Sequence, residues 1–220
     1  MGRIFACSDF HGIYDAYAKI KNYLHSDDKV FFLGDASDRG HDGWKLIKEI
    51  LNDRQFIYFR GNHEQMLLDA YYSMNSFDEE YYFRQLFLNG GATTFDDMLS
   101  DPEHDSILVR LNKTIRAGSY NSPISNNIIF LSHAGFNPEK GLPSSRDLLW
   151  DRTHISSPWD SAENEYVVHG HTPVTHLTDY GASANSPFYC DGHKICIDNL
   201  TVKTGVVPLL NLDTLELIYL

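Results

Sequence analysis

The chain has 220 residues, 42% hydrophobic and 22% charged, which is ordinary for one globular domain with a sizeable core. Lys plus Arg total 18 and Asp plus Glu 30, giving a formal charge of -12. That balance argues against a general nucleic-acid or anionic-membrane binder, because polyanion binding needs basic surface. It still permits one anionic group held in a local pocket.

Cys7, Cys190 and Cys196 are odd in number and lack a close-spaced motif, which predicts reduced thiols and a cytoplasmic setting. Met1-Gly2-Arg3 enters an apolar segment that meets Asp9 within a few residues, too short for a signal-peptide core. No stretch approaches the ~18 apolar residues of a membrane span.

Residues 3–8 (RIFACS) are a short apolar run ending in Asp9-Phe10-His11-Gly12. Tyr14, Tyr17, Ile20 and Leu24 follow at helical spacing. Residues 29–33 (KVFFL) form a second run, ending in Gly34-Asp35, and 44–51 (WKLIKEIL) read as a helix. Residues 55–60 (QFIYFR) form a third run, ending in Gly61-Asn62-His63-Glu64, with a helix through Met66, Leu67, Leu68 and Ala70. Strand, loop and helix in repeated order predict βαβ units and a parallel sheet. The loops after the strand ends then line the binding crevice.

Residues 76–117 change character. Helical periodicity (Tyr81, Tyr82, Leu86, Phe87) is broken at Asn89-Gly90-Gly91 and again at Asp101-Pro102, predicting a mostly helical insertion with outer bounds about 73–123. Asn127–Leu131 reads as a strand ending in Ser132-His133-Ala134-Gly135, and Glu165–Val168 as one ending in His169-Gly170-His171-Thr172. Lys194–Ile197, Val206–Asn211 and Leu215–Tyr219 read as an antiparallel set. Residues 182–188 (ASANSPF) read as a mobile loop, and the last strand, running to Leu220, leaves no regulatory tail in view.

The polar residues at the strand ends are Asp9, His11, Asp35, Asp38, Arg39, Asn62, His63, His133, His169 and His171. Carboxylate, imidazole and amide together suit a borderline divalent transition metal better than calcium. No cysteine joins them, which argues against a structural zinc finger. Asp9 and His11 can be aimed at one ion by a tight turn. Asp35 can bridge two, and Asn62, His133 and His171 complete the second. Two ions ~3.5–4 Å apart can activate a water for in-line attack at phosphorus. Taken singly, each motif has a plainer reading; Gly61-Asn62-His63-Glu64, for example, could be a helix start with Asn62 as N-cap. At ~5% per residue a fixed tetrapeptide arises by chance in roughly one such chain in a thousand, and here several occur in order.

Asp9-Phe10-His11-Gly12, Gly34-Asp35-Ala36-Ser37-Asp38-Arg39-Gly40, Gly61-Asn62-His63-Glu64, Ser132-His133-Ala134-Gly135 and Gly170-His171-Thr172 form an ordered series. It resembles the signature of the phosphoprotein phosphatase branch of the calcineurin-like metallophosphoesterases. Arg60-Gly61-Asn62-His63-Glu64-Gln65-Met66, Leu88-Asn89-Gly90-Gly91, Trp150-Asp151-Arg152 and His171-Thr172-Pro173 extend the likeness to the small bacterial and phage lambda-type serine/threonine protein phosphatases.

The resemblance implies an α/β fold over residues 1–220: a two-sheet β sandwich flanked by helices, with the helical insertion. It implies metal one on Asp9, His11 and bridging Asp35, and metal two on Asp35, Asn62, His133 and His171. His63 is implied as general acid, oriented and charged by Asp38. Arg39 and Arg152, with Asn62, are implied to bind the substrate phosphate. The ions would be manganese, or iron or zinc as in some members. The substrates would be phosphoserine and phosphothreonine, with phosphotyrosine as a further candidate, in proteins or peptides, with no nucleic-acid or membrane partner. The oligomeric state stays open.

The physics of each role agrees. An acid beside a serine alkoxide is worth ~10²–10⁴-fold. A His paired with Asp is expected to stay protonated to higher pH. The Arg fork matches two phosphate oxygens. Cys7 has no Cys-x5-Arg loop around it and reads as a strand-core residue. Ser37 stands where many relatives carry an aliphatic residue, which predicts a looser second loop. Asp151 is positioned to compete for Arg152, and His169 to support a ligand or touch substrate. His25, His41, His104, His154, His176 and His193 read as surface or loop residues.

Three rival readings stand beside this one, of which the non-catalytic scaffold is of another class. A symmetrical dinucleoside tetraphosphate hydrolase would share the metal motifs. Regions 76–123 and 136–160 offer it aromatic residues (Tyr81, Tyr82, Phe83, Trp159) but few basic ones for a polyphosphate. A non-catalytic scaffold predicts a broken metal or acid position, and none is broken. A nuclease is disfavoured by the acidic charge and by Asp38-Arg39.

Overall fold

A computed structural model describes residues 2–137, 141, 143–157, 162–183 and 189–220. Trp159, and residues 184–188 of the loop expected at 182–188, lie outside the described residues. In chain order the elements are β1 (Ile4–Cys7), α1 (Tyr14–Tyr23), β2 (Lys29–Phe32), α2 (Gly43–Asn52), β3 (Phe56–Tyr58) and α3 (Asn62–Ser73). The helical segment follows: α4 (Glu79–Leu88), α5 (Ala92–Ser100) and α6 (His104–Asn112). Then come β4 (Ala117–Asn121), β5 (Ile128–Ser132), α7 (Ser145–Trp150), β6 (Glu165–His169), β7 (Tyr189–Asp191) and β8 (Lys194–Cys196). The chain closes with α8 (Thr201–Thr204), β9 (Pro208–Asn211) and β10 (Leu217–Tyr219).

These strands make two sheets, ordered β10-β9-β1-β2-β3 and β4-β5-β6-β8-β7. The β1, β2 and β3 ladder is parallel, with Ile4 opposite Lys29 and Val30 opposite Phe56. In the second sheet β5, β6 and β8 are parallel. The last three strands are therefore not one antiparallel set. β9 and β10 pair antiparallel in the first sheet, whereas β8 joins β6 in the second. The helical insertion also ends sooner than its expected outer bound, because residues 117–121 pair with β5 as a strand.

Side-chain alternation divides the core. Phe5, Cys7, Val30 and Phe32 face the helices, where Trp44, Leu46, Ile47 and Ile50 of α2 meet them. Ala6, with Leu33 just past β2, faces the second sheet and packs with Ile129, Leu131, Val168 and Ile195. A strand exposes alternate residues to opposite faces, so β1 and β2, covered on both sides, must be nearly all apolar. Cys7 and Cys196 are buried thiols. Among the described residues no helix is long and apolar enough to cross a membrane.

The parallel strands of both sheets end at the same rim of the sandwich. That geometry brings loops far apart in sequence into one cleft.

Candidate metal centre

The β1, β2 and β3 loops supply Asp9 and His11, Asp35 to Arg39, and Asn62 to Glu64. The β5 and β6 loops supply His133 and His171. All of these are buried except Arg39, whose guanidinium reaches in from an exposed position. Asp9, His11, Asp35, Asp38, Arg39 and His171 have φ between 45° and 71°, the left-handed region. Such conformations are uncommon for residues with a Cβ and cluster at functional sites. Here they turn each loop back sharply enough to aim its side chain into the cleft.

Backbone contacts hold the turns. The His11 amide donates to the Asp35 carbonyl at 3.0 Å and the Gly12 amide to the Ala36 carbonyl at 2.7 Å. The Arg39 amide donates to the Gly90 carbonyl at 3.0 Å, so the α4–α5 turn braces the second loop. Glu64, in the first turn of α3, is a clamp. Its buried carboxylate accepts from the amides of Asp35 (2.9 Å), Ala36 (2.8 Å) and Gly61 (2.8 Å). Gly61 is the N-cap and Asn62 the first helical residue, which corrects the N-cap reading of Asn62. A Cβ at Gly61 would lie 2.1 Å from Asp35 Oδ1, so only glycine permits this approach.

The imidazole tautomers follow from their backbone partners. His133 Nδ1 donates to the Leu33 carbonyl at 2.8 Å, and His11 Nδ1 to the Ser37 carbonyl at 3.1 Å. Each Nε2 is therefore a lone pair aimed into the cleft. His133 Nε2 lies 2.8 Å from Asn62 Oδ1, so two acceptors face each other. His171 Nδ1 is 2.9 Å from the same oxygen, and its buried Nε2 has no hydrogen-bond partner among the described residues. Asp35 Oδ2 sits 3.4 Å from His133 Nε2 and 3.8 Å from the Nε2 atoms of both His11 and His63. Converging lone pairs of this kind are relieved by cations. Two groups, His11–Asp35–His63 and Asp35–His133–His171, can each hold one, with donor atoms within 4.8 Å of one another. Asp35 belongs to both, and the nitrogen and oxygen donors fit a divalent transition metal.

Asp9 falls outside both groups. It lies beside them, with Oδ1 3.8 Å from His11 Nε2 and Oδ2 accepting from the His171 amide at 3.1 Å. The centre's protonation has the same cause throughout. Burial pushes Asp9 and Asp35 well above the usual carboxylate range, and neighbouring carboxylates push them further. Burial also pushes His11 and His171 well down and His133 to about 3. Neutral imidazoles and crowded carboxylates are the forms a metal displaces protons from or binds directly.

His63 Nδ1 lies 2.7 Å from Asp38 Oδ2, the expected pair. The expected protonated state is not found. Burial and then Arg39 push His63 down to about 3, and burial pushes Asp38 up to about 7. Arg39 adds to burial in disfavouring a charged His63. Its guanidinium donates to His11 Nε2 at 2.8 Å and to His63 Nε2 at 3.1 Å, placing positive charge on the lone pairs themselves. Arg152 stands at the exposed rim, its Nε donating to Thr172 Oγ1 at 3.1 Å.

Other expectations need correcting. Asp151 does not compete for Arg152; its carboxylate accepts from the amide and hydroxyl of Thr153 at 3.0 and 3.1 Å. Ser37 does not loosen its loop, for it is buried and its amide donates to Glu64 Oε1 at 3.3 Å. His154 is not a surface residue. It is buried, with Nε2 3.2 Å from His169 Nε2, which places His169 against His154 behind the rim. Asp198, which the sequence reading missed, is buried near Asp9, and burial pushes it up to about 6. An isolated Asp after an apolar run gave no signal of that.

The model of the calcineurin-like phosphoesterase family matches residues 2–195. The chain belongs to that family. No curated protein sequence matches it. Among solved structures it is similar to a protein provisionally described as a diadenosine tetraphosphatase, with TM-score 0.66, 16% identity, and coverage of 100% of this chain and 93% of that one. It is also similar to a cold-active protein-tyrosine phosphatase of a psychrophilic Shewanella species (TM-score 0.55, 17% identity, 100% and 77% covered). A protein serine/threonine phosphatase from Saccharomyces cerevisiae is a third (TM-score 0.58, 13% identity, 100% and 79% covered). At these identities the likeness is one of fold.

Proposed function

We propose that the protein is a metal-dependent phosphomonoesterase that hydrolyses phosphoserine and phosphothreonine in proteins. The observation that carries this reading is the buried His63–Asp38 pair at 2.7 Å, beside the two metal-holding groups. A serine alkoxide needs a proton as it leaves, whereas a pyrophosphate leaving group does not, so a positioned acid points to monoesters. On this reading Asp9, His11 and Asp35 hold one ion, and Asp35, Asn62, His133 and His171 the other. Manganese is the proposed metal, with iron or zinc as the alternatives. When bound, the ions supply Lewis acidity and lower the pKa of water.

The chain's own residues do the rest. Arg39 leaves the imidazoles and, with Arg152, takes the phosphate oxygens through its planar fork. A phosphate dianion beside His63 favours the imidazolium. The proton on His63 Nε2 then passes to the leaving oxygen, while Asp38 holds Nδ1.

The test is a substrate panel assayed with added manganese: phosphoserine and phosphothreonine peptides, mononucleotides, and dinucleoside tetraphosphates. Turnover of the phosphopeptides is expected to exceed the others. Preferred cleavage of the dinucleoside tetraphosphate would replace this reading with the symmetrical hydrolase.

A further inference from the structure

The amides of the loop from Asp35 to Arg39 divide between two clamps. Those of Asp35, Ala36 and Ser37 donate to the Glu64 carboxylate. Those of Asp38 and Arg39 turn instead to the helical insertion. The Asp38 amide donates to Thr94 Oγ1 at 3.1 Å, and the Arg39 amide to the Gly90 carbonyl at 3.0 Å. The turn Leu88-Asn89-Gly90-Gly91 and the start of α5 thus reach the cleft, from a segment that supplies no residue of the two metal-holding groups. Asp38 and Arg39 are also two consecutive left-handed residues, with φ of 71° and 66°. Neither is glycine, so the conformation persists only where its surroundings over-determine it.

Thr94 is built into this place. It is the third residue of α5 and is buried. A Cβ on Gly43, the first residue of α2, would lie 2.3 Å from Thr94 Oγ1 and 3.0 Å from the Asp38 nitrogen. Glycine there leaves the room that the hydroxyl and the amide share. The contact bears on His63 through one residue. Backbone conformation sets the direction of the Cα–Cβ bond and the rotamers open to the side chain. It therefore sets the approach of Asp38 Oδ2 to His63 Nδ1, 2.7 Å away. We propose that Thr94 is a positioning residue for the Asp38–His63 pair: its hydroxyl accepts the Asp38 amide, holds that residue left-handed, and so aims the carboxylate at the imidazole. The helical insertion then has a part in the reaction as well as in the fold. The inference rests on the phosphomonoesterase reading, in which His63 gives the proton.

Thr94→Val keeps the shape of the side chain and removes the acceptor, leaving a buried amide unpaired. On manganese-loaded protein of verified metal content, kcat for a phosphoserine peptide should fall about tenfold more than kcat for nitrophenyl phosphate. Nitrophenolate leaves without a proton, so only the first substrate reports part of the general-acid contribution. Thr94→Ser restores the acceptor and should bring the ratio back to within about threefold of wild type. Placed in Asp38→Ala protein, Thr94→Val should cost less than about a further twofold, because the carboxylate through which it acts is gone. A side chain that only supports the fold would slow both substrates alike and add its effect in either background. Equal losses on the two substrates, an undiminished loss in the Asp38→Ala background, or a serine variant as poor as the valine one would each overturn the inference. Should Thr94→Val not fold, Thr94→Ala takes its place with the same outcomes. The phosphomonoesterase reading fails separately, by absence of phosphoserine turnover in the wild type, and would take the inference with it.

Discussion

The two sheets contribute to the centre in different ways. The first-sheet loops are over-determined: four of their residues, Asp9, His11, Asp35 and Asp38, are buried with left-handed backbones, and Glu64 ties two loops together through their amides. The second-sheet side places His133 as firmly, through the Leu33 carbonyl, but ends in an exposed rim where Arg152 rests on Thr172. Rigid burial sits where cations must be held in fixed geometry, and exposure where a substrate must enter. Damage to the first half should therefore empty the centre, and damage to the rim should weaken substrate binding alone.

Asp35→Asn is the severest break, because Asp35 belongs to both metal-holding groups. Partners that merely support a ligand are worth about 10–100-fold, so losing a shared ligand should cost activity more than about 100-fold. Elemental analysis should show both ions depleted; full metal content with full activity would contradict the bridging role. His63→Asn tests the boundary between the halves. Phosphoserine hydrolysis should fall by about 10²–10⁴-fold more than nitrophenyl phosphate hydrolysis, with metal retained. Equal losses with metal lost would make His63 a ligand, a role its membership of the His11–Asp35–His63 group allows. Equal losses with metal retained would leave it a positioning residue.

Arg152→Lys keeps the rim's charge and loses its fork. We expect kcat/KM to drop by about tenfold through KM, with metal content unchanged. Unchanged kinetics here and in Arg39→Ala would remove both arginines from phosphate binding. The smallest effect lies in the helical insertion. Lys48 and Trp44 hydrogen-bond Asp101 and hold its carboxyl down to about 2. A depressed carboxylate stabilises the fold above its unfolded pKa of about 3.9 and loses that contribution as pH falls through about 2. The gap in melting temperature between wild type and Asp101→Asn should thus be largest near neutral pH and close toward pH 2. A gap independent of pH would show that the contact acts by packing alone.

The parallel strands, their loops and the metal-facing residues were legible because apolar runs and polar loop motifs alternate along the first seventy residues. The same logic failed for β4, whose sequence (AGSYN) runs exposed and half-buried with no buried face to betray a strand. α7 carried a readable cue that went unused: Ser144 and Asp147 form a capping box before Leu148-Leu149-Trp150. The assignment of β8 to the second sheet depends on pairing with β6, which no local pattern encodes. His154 looked exposed because its neighbours are polar, yet its ring is packed against Gly135, where a Cβ would meet Nε2 at 2.5 Å. Arg39 was read as a phosphate ligand from its motif; its hold on two imidazoles is a tertiary fact.

The left-handed backbone at the centre has a consequence for variation. Each such residue stores of order 1 kcal/mol that a glycine would not. Asp38→Gly would release that strain and also remove a buried carboxyl that burial pushes up to about 7. Selection for thermal robustness alone would thus drift toward a sturdier chain with a silent cleft. Aspartate, histidine and arginine at these turns thus serve what the cleft does, against the preference of the local backbone.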